Sequence, residues 1–252
     1  MKYTVYFLLI VCLAAATALT LISATSASLV GTDVVTRHFT IPAADGLNVE
    51  VFADVEVSEG TPQKVEVSGP SYLLDQLRVQ VRGGVLEFRT SSSRRNWPNK
   101  RKPSERLKIS VTLPAFKLLK LAGAGSVIGL TPLTAPELEV NFAGASHATL
   151  DVRNARMRVA ISGAGDVLLK GFTTSQEVRI QGAGNYHAFD FKSVDATASV
   201  SGTGSQEVRA SNSLKASIAG LGTIRYRGNP VTITRSVSGL GTIEESNQTF
   251  LP

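Results

Sequence analysis

A short glycine motif recurs along the second half of this chain at almost constant intervals. It reads Gly123-Ala124-Gly125, Gly144-Ala145-Ser146, Gly163-Ala164-Gly165, Gly182-Ala183-Gly184, Gly202-Thr203-Gly204, Gly220-Leu221-Gly222 and Gly239-Leu240-Gly241, with steps of 21, 19, 19, 20, 18 and 19 residues. Self-similarity at this period is the mark of a stacked array, in which no single unit can bury its apolar face without its neighbours.

Aligning the units on their first glycine shows what the period encodes. Two positions earlier stand Leu121, Phe142, Ile161, Ile180, Val200, Ile218 and Val237. Four positions earlier stand Leu119, Val140, Val159, Val178, Ala198, Ala216 and Arg235. Four positions after the glycine the alternation resumes, with Val127, Ala148, Val167, Tyr186, Gln206, Ile224 and Ile243. Period-two alternation describes a strand with one buried face. Each unit is therefore two short strands joined at a glycine corner, where the missing side chain permits a positive φ or close approach of the next coil. The expected fold is all-β: a single-stranded, right-handed parallel β-helix of about seven coils over residues 115–245, about 34 Å long at ~4.8 Å per coil. An unwound array of β-hairpins is the alternative.

The corner positions Gly123, Gly125, Gly144, Gly163, Gly165, Gly182, Gly184, Gly202, Gly204, Gly220, Gly222, Gly239 and Gly241 are thus structural. A dinucleotide-binding reading would require a helix after the motif and an acidic residue about 20 positions on, and no helix follows. In the last unit Arg235 and Glu244-Glu245 bring charge to the free end of the stack, as capping of an exposed sheet edge requires.

Residues 33–114 lack the glycine motif but alternate as strands do, through Leu47, Val49 and Val51, then Val65 and Val67, Leu77, Val79 and Val81, and Leu107, Ile109, Val111 and Leu113. This β-rich region is expected to cap the first coil, and residues 246–252 form a C-terminal tail. Residues 1–27 read as a signal peptide, with Lys2, an apolar run from Val5 to Ile22 and small residues at Thr25 and Ala27. An uncleaved N-terminal anchor is the alternative. The single cysteine, Cys12, lies in that segment, so an exported chain would carry no disulfide and no thiol chemistry.

The net charge of +6 is concentrated. Without residues 1–27 there are 25 basic and 20 acidic side chains, and the stretch Arg94 to Arg106 contributes six bases against one acid, leaving 19 of each elsewhere. This loop, with Arg94, Arg95, Trp97, Lys100, Arg101, Lys102 and Arg106, is the sequence's candidate for contact with an anionic ligand: polysaccharide, an anionic envelope surface or another protein. Its alternative is a solvated hairpin loop. Nucleic acid is not expected as a partner, and membrane contact is expected only if the N-terminal segment is retained.

No catalytic, cofactor or metal constellation stands out. The polar column Ser126, His147, Asp166, Asn185, Ser205, Thr223 and Thr242 after each corner is of turn-bonding type. His147 and His187 fall at different repeat positions and are not expected to form a metal pair. Asp151, Asp166, Asp190 and Glu207 are the carboxylates a glycosidase on this scaffold would draw on, two of them ~5–9.5 Å apart. Outer-face recognition would draw on side chains such as Thr149, His187, Glu207, Arg209 and Arg225.

The block Leu113-Pro114-Ala115-Phe116-Lys117-Leu118-Leu119-Lys120-Leu121-Ala122-Gly123-Ala124-Gly125, then Ser162-Gly163-Ala164-Gly165-Asp166-Val167 and Tyr226-Arg227-Gly228-Asn229-Pro230, resembles the bacterial family of putative auto-transporter adhesins with a head GIN domain. The resemblance spans about Thr36 to Glu245 and implies an exported β-helical protein with no family catalytic residues to carry over. Self-transport is not expected, since no alternating ~10-residue barrel strands follow the last unit. The expected function is an exported, non-catalytic adhesion or binding module of the cell envelope, in the periplasm or at the surface. A carbohydrate-active enzyme on the same scaffold, or a structural or regulatory envelope protein, is the alternative.

Overall fold

The computed structural model describes residues 34–91 and 106–246. These residues form a parallel β-solenoid of about six turns, close to the seven units counted from the glycine motif. Fourteen strands run in chain order: β1 (Val34–Phe39), β2 (Gly46–Val49), β3 (Ala53–Glu59), β4 (Lys64–Pro70), β5 (Leu77–Arg82), β6 (Val85–Thr90), β7 (Leu107–Leu113), β8 (Leu118–Gly129), β9 (Glu137–Gly182), β10 (Asn185–Gly202), β11 (Ser205–Gly220), β12 (Thr223–Arg227), β13 (Thr232–Gly239) and β14 (Thr242–Glu245). A single helical turn, α1 (Ser71–Leu74), follows β4.

The repeat is in register from coil to coil. Gly123 lies beside Gly144 and Ser126 beside His147. Gly182 lies beside Gly202, which in turn lies beside Gly220. The aligned columns therefore coincide in space, and the inward ones close into one core: Leu119, Leu121, Val140, Phe142, Val159, Ile161, Val178, Ile180, Ala198, Val200, Ala216 and Ile218 are all buried. Because parallel strands repeat every ~4.8 Å, like residues stack on like.

The corner shows why glycine recurs. Gly182 has φ +130°, and a Cβ there would lie 2.6 Å from the carbonyl oxygen of Gly163 one coil below. Both of the alternatives expected for glycine hold at that position. A second set of glycines breaks the coil further on, where Gly171 and Gly228 have φ of +112° and +106°.

The core also holds a polar ladder. Tyr186 Oη donates to Gln176 Oε1 at 3.0 Å, Gln176 Nε2 donates to Ser193 Oγ at 2.8 Å, and Ser193 Oγ donates to the Arg209 carbonyl at 2.7 Å. Gln206, in the otherwise mostly apolar column, donates to the Ser199 carbonyl at 2.7 Å. Burial raises the Tyr186 hydroxyl above its ordinary pKa, so it stays a neutral donor.

The N-terminal region extends the same sheet without glycine corners. On one wall the order is β1-β4-β7-β3-β8, and on the other β5 pairs β6, β6 pairs β2, and β2 pairs β8. Strands β2 and β3 lie parallel on the two halves of β8, so Leu47 meets Leu119 and Val55 meets Val127. Strands β1, β4 and β5 pair antiparallel and, among the described residues, stand last in the stack at this end.

Candidate functional site

Alternation buries every second residue, so the remaining side chains of successive coils form grids on the outside of the solenoid. Before the corner, the grid carries Glu137, Glu139 and Asn141 on one coil, Arg156, Arg158 and Ala160 on the next, and Glu177 and Arg179 on the third. Ala160 is the one small residue among them, and over it opens a dish of about 330 Å³ walled by Glu139, Asn141, Arg158, Glu177 and Arg179.

Ion pairs hold the walls. Arg156 Nη1 donates to Glu137 Oε1 at 2.6 Å. Arg158 reaches Glu137 at 3.8 Å on one side and Glu177 at 3.7 Å on the other, and Arg179 pairs with Glu177. Asn141 Nδ2 donates to Glu139 Oε1 at 2.6 Å. The four charged walls balance to zero, with carboxylate acceptors alternating with guanidinium and amide donors. Such a surface matches a neutral ligand dense in hydroxyl groups, each of which both donates and accepts.

After the corner a second grid forms a charge ladder. His147 Nδ1 lies 3.7 Å from Asp166 Oδ2, and His187 Nε2 lies 3.3 Å from Asp166 Oδ1. His187 Nδ1 lies 3.0 Å from Glu207 Oε2, and Arg225 Nε donates to Glu244 Oε1 at 3.0 Å. The two histidines do occupy different repeat positions, yet they share one carboxylate, because His187 reaches diagonally to the coil below. Among the described residues, no group of three or more His, Asp or Glu side chains is arranged to hold a metal ion. Thr149 lies 3.4 Å from His147 Nε2.

Members of the polar column bond the neighbouring coil. Ser126 Oγ donates to Asp54 Oδ1 at 2.7 Å and Ser205 Oγ to Asn185 Oδ1 at 2.8 Å. Of the glycosidase candidates, Asp166 and Glu207 are joined through His187, Asp151 faces Arg153 at 3.7 Å and Lys170 at 3.9 Å, and Asp190 is exposed on its own coil.

Of the basic loop, Arg94, Arg95, Trp97, Lys100, Arg101 and Lys102 lie outside the described residues. Arg106 is placed: its Nη1 is 3.3 Å from Asp54 Oδ1 and its guanidinium lies 4.7 Å from the Phe52 ring centroid. In the sequence the segment falls between β6 and β7.

The dish was not singled out from the sequence. The signal for it is one alanine among longer polar residues in adjacent outward columns, visible only once the coils are aligned on the corner.

A parallel β-solenoid with polar outer grids and antiparallel end strands defines the class of this protein. The chain belongs to the family described as "Putative auto-transporter adhesin, head GIN domain", which matches residues 43–230. Solved structures share the fold. A putative adhesin from Bacteroides fragilis is 23% identical, with 84% of this chain and 97% of that one covered at a TM-score of 0.76. A putative lipid binding protein from Parabacteroides distasonis is 25% identical, covering 86% and 98% at 0.68. A putative adhesin from the same organism is 18% identical, covering 86% and 98% at 0.63. No curated protein matches the chain. Among the described residues, no helix is long and apolar enough to cross a membrane.

Proposed function

We propose that this chain is an exported binding or adhesion module of the bacterial cell envelope that recognises its ligand through the outer face of the solenoid, without chemistry. The carrying observation is the dish over Ala160, a recess in a stiff sheet whose donors and acceptors are already oriented by ion pairs between three coils. Preorganised walls lower the cost of ordering side chains on binding. Family membership supports the adhesion reading. The ligand class that fits best is polysaccharide, since the balanced walls give hydroxyl groups partners of both kinds.

The test is retention of the chain on envelope polysaccharide and on anionic lipid vesicles, with Ala160→Trp and a variant carrying Ser at Arg94, Arg95, Lys100, Arg101 and Lys102. An indole in place of the Ala160 methyl fills the dish without touching the core, so polysaccharide retention falls at least about tenfold. Unchanged retention by Ala160→Trp removes the dish from the function. A second reading, contact of the basic loop with an anionic surface, follows from the concentration of net charge there, and the relative described as lipid binding favours it. It predicts salt-sensitive vesicle binding that the Ser variant loses.

A further inference from the structure

Among the described residues, the last coil of the stack leaves the outer edges of both its strands unpaired. β13 pairs only with β11 and β14 only with β12 among the described residues. All eight residues of β13 are exposed. Its inward columns nevertheless continue: Ile233 stands on Leu214, Val237 on Ile218 and Ile243 on Ile224, and Ile233 and Val237 are 38% and 47% exposed where the residues beneath them are buried.

Two inward positions are charged. Arg235 stands on buried Ala216, lays its guanidinium 5.2 Å from the Tyr226 ring centroid and donates to Tyr226 Oη. Glu245 stands on buried Tyr226 and has no ion-pair partner among the described residues. The two lie equally far from Leu240, five residues to either side. Outward from that centre the pairs are Gly239 and Gly241, Ser238 and Thr242, Val237 and Ile243, Ser236 and Glu244, Arg235 and Glu245. The edge is thus matched to itself about the corner: small with small, apolar with apolar, base with acid.

We propose that the C-terminal coil is a self-association surface that joins two copies end to end. A twofold axis through Leu240, bisecting the corner, lays β13 of each copy antiparallel on β14 of the other. Both free edges gain a ladder. Val237 then meets the partner's Ile243, and Arg235 meets the partner's Glu245, so that each inward charge gains its counterion. The same axis explains the corner residue itself. The middle position is Ala124, Ala145, Ala164, Ala183 and Thr203 in the earlier coils, but Leu221 and Leu240 in the last two, at 60% and 85% exposure. Across the axis these leucines make one apolar ridge of four. An isologous contact of this kind closes after two copies and does not run on into a fibre.

The test uses the full chain in mild detergent, followed by sedimentation. Wild type is expected as a dimer, and Arg235→Glu or Glu245→Arg, which set like charges opposite each other, are expected to weaken dimerisation at least about tenfold. The double variant restores the opposite pairing and with it the dimer, which a merely misfolded single variant would not allow. Leu240→Cys in a Cys12→Ser background is expected to form an intermolecular disulfide, while Val34→Cys, exposed at the other end, is not. A wild type that stays monomeric up to about 0.1 mM, or a double variant no better than either single one, overturns the proposal. So does a chain that dimerises only after residues 247–252 are removed, because the end would then be covered by its own tail.

Discussion

Replacing Gly182 by alanine tests the corner at the centre of the stack. The residue has φ +130°, a conformation an L side chain adopts only under strain of about 1–3 kcal/mol. Its Cβ would lie 2.6 Å from the Gly163 carbonyl oxygen and 3.1 Å from the Gly163 nitrogen, whereas Cβ atoms essentially never come closer than 3.0 Å. The coils must therefore part by at least about 0.4 Å at the corner. Two hydrogen bonds run through it, Ala183 N to the Gly163 carbonyl and Thr203 N to the Gly182 carbonyl, both at 2.9 Å. Lengthening them forfeits about 1 kcal/mol each, so that with the strain the substitution costs about 3–5 kcal/mol. Gly60→Ala is the control, because its Cβ would meet only Thr112 Cγ2 at 3.4 Å and its φ is not positive; it is expected to stay within about 0.5 kcal/mol of wild type. The assay is urea unfolding followed by far-ultraviolet circular dichroism. Equal midpoints for the two variants would refute the reasoning that this corner, through its positive φ and the close approach of the neighbouring coil, requires glycine.

Other outcomes follow from the same geometry. Tyr186→Phe leaves Gln176 Oε1 without its hydroxyl donor in the core and is expected to cost about 1–3 kcal/mol, read in the same urea assay; an unchanged midpoint would show that the ladder has another donor there. Hydrogen bonds from Ser213 and Asn212 hold the Asp195 carboxyl below its ordinary pKa. A carboxylate depressed in the folded state stabilises above its unfolded value of about 3.9, and that contribution is lost as pH falls through the lower folded value. The stability gap between wild type and Asp195→Asn is therefore expected to be widest near neutrality and to narrow in acid; a gap that widens in acid would contradict the assignment. Ala160→Trp is expected to keep the wild-type melting temperature, since the added ring lies outside the core, and a fall of more than a few degrees would show that it disturbs the stack.

Much of this architecture was legible in the chain because a solenoid repeats its instructions. Val159, Val178 and Ala198 are spaced by a whole coil, so a column of apolar residues in the sequence is a column in space. The charge in the last unit was legible too: Arg235 and Glu245 break columns otherwise filled by residues such as Ala216 and Tyr226, on the last strands of the stack among the described residues. What the repeat does not carry is contact along diagonals. His187 sits two residues further past its corner than Asp166 does, and only the offset of neighbouring coils brings its ring to that carboxylate. The coils also differ in length, and the difference is absorbed beyond the corner, where β10 shifts register against β11 between His187 and Lys192. Gly171 and Gly228 stand in that region, eight residues after Gly163 and Gly220, and most other coils have no glycine there to reveal a second bend. The dish was hidden for a different reason: a recess is made by the absence of a side chain, and Ala160 looks unremarkable until the longer residues around it are placed.

The claim that recognition occurs on the outer face before the corner is tested most directly by carboxyl footprinting. The chain is labelled with a carbodiimide and an amine, with and without envelope polysaccharide, and each carboxylate is read by mass spectrometry. Binding in the dish predicts that labelling of Glu139 and Glu177 falls by several-fold while Asp190 and Glu244, on other parts of the coil, label as before. Saturating polysaccharide that leaves Glu139 and Glu177 fully labelled would contradict the account.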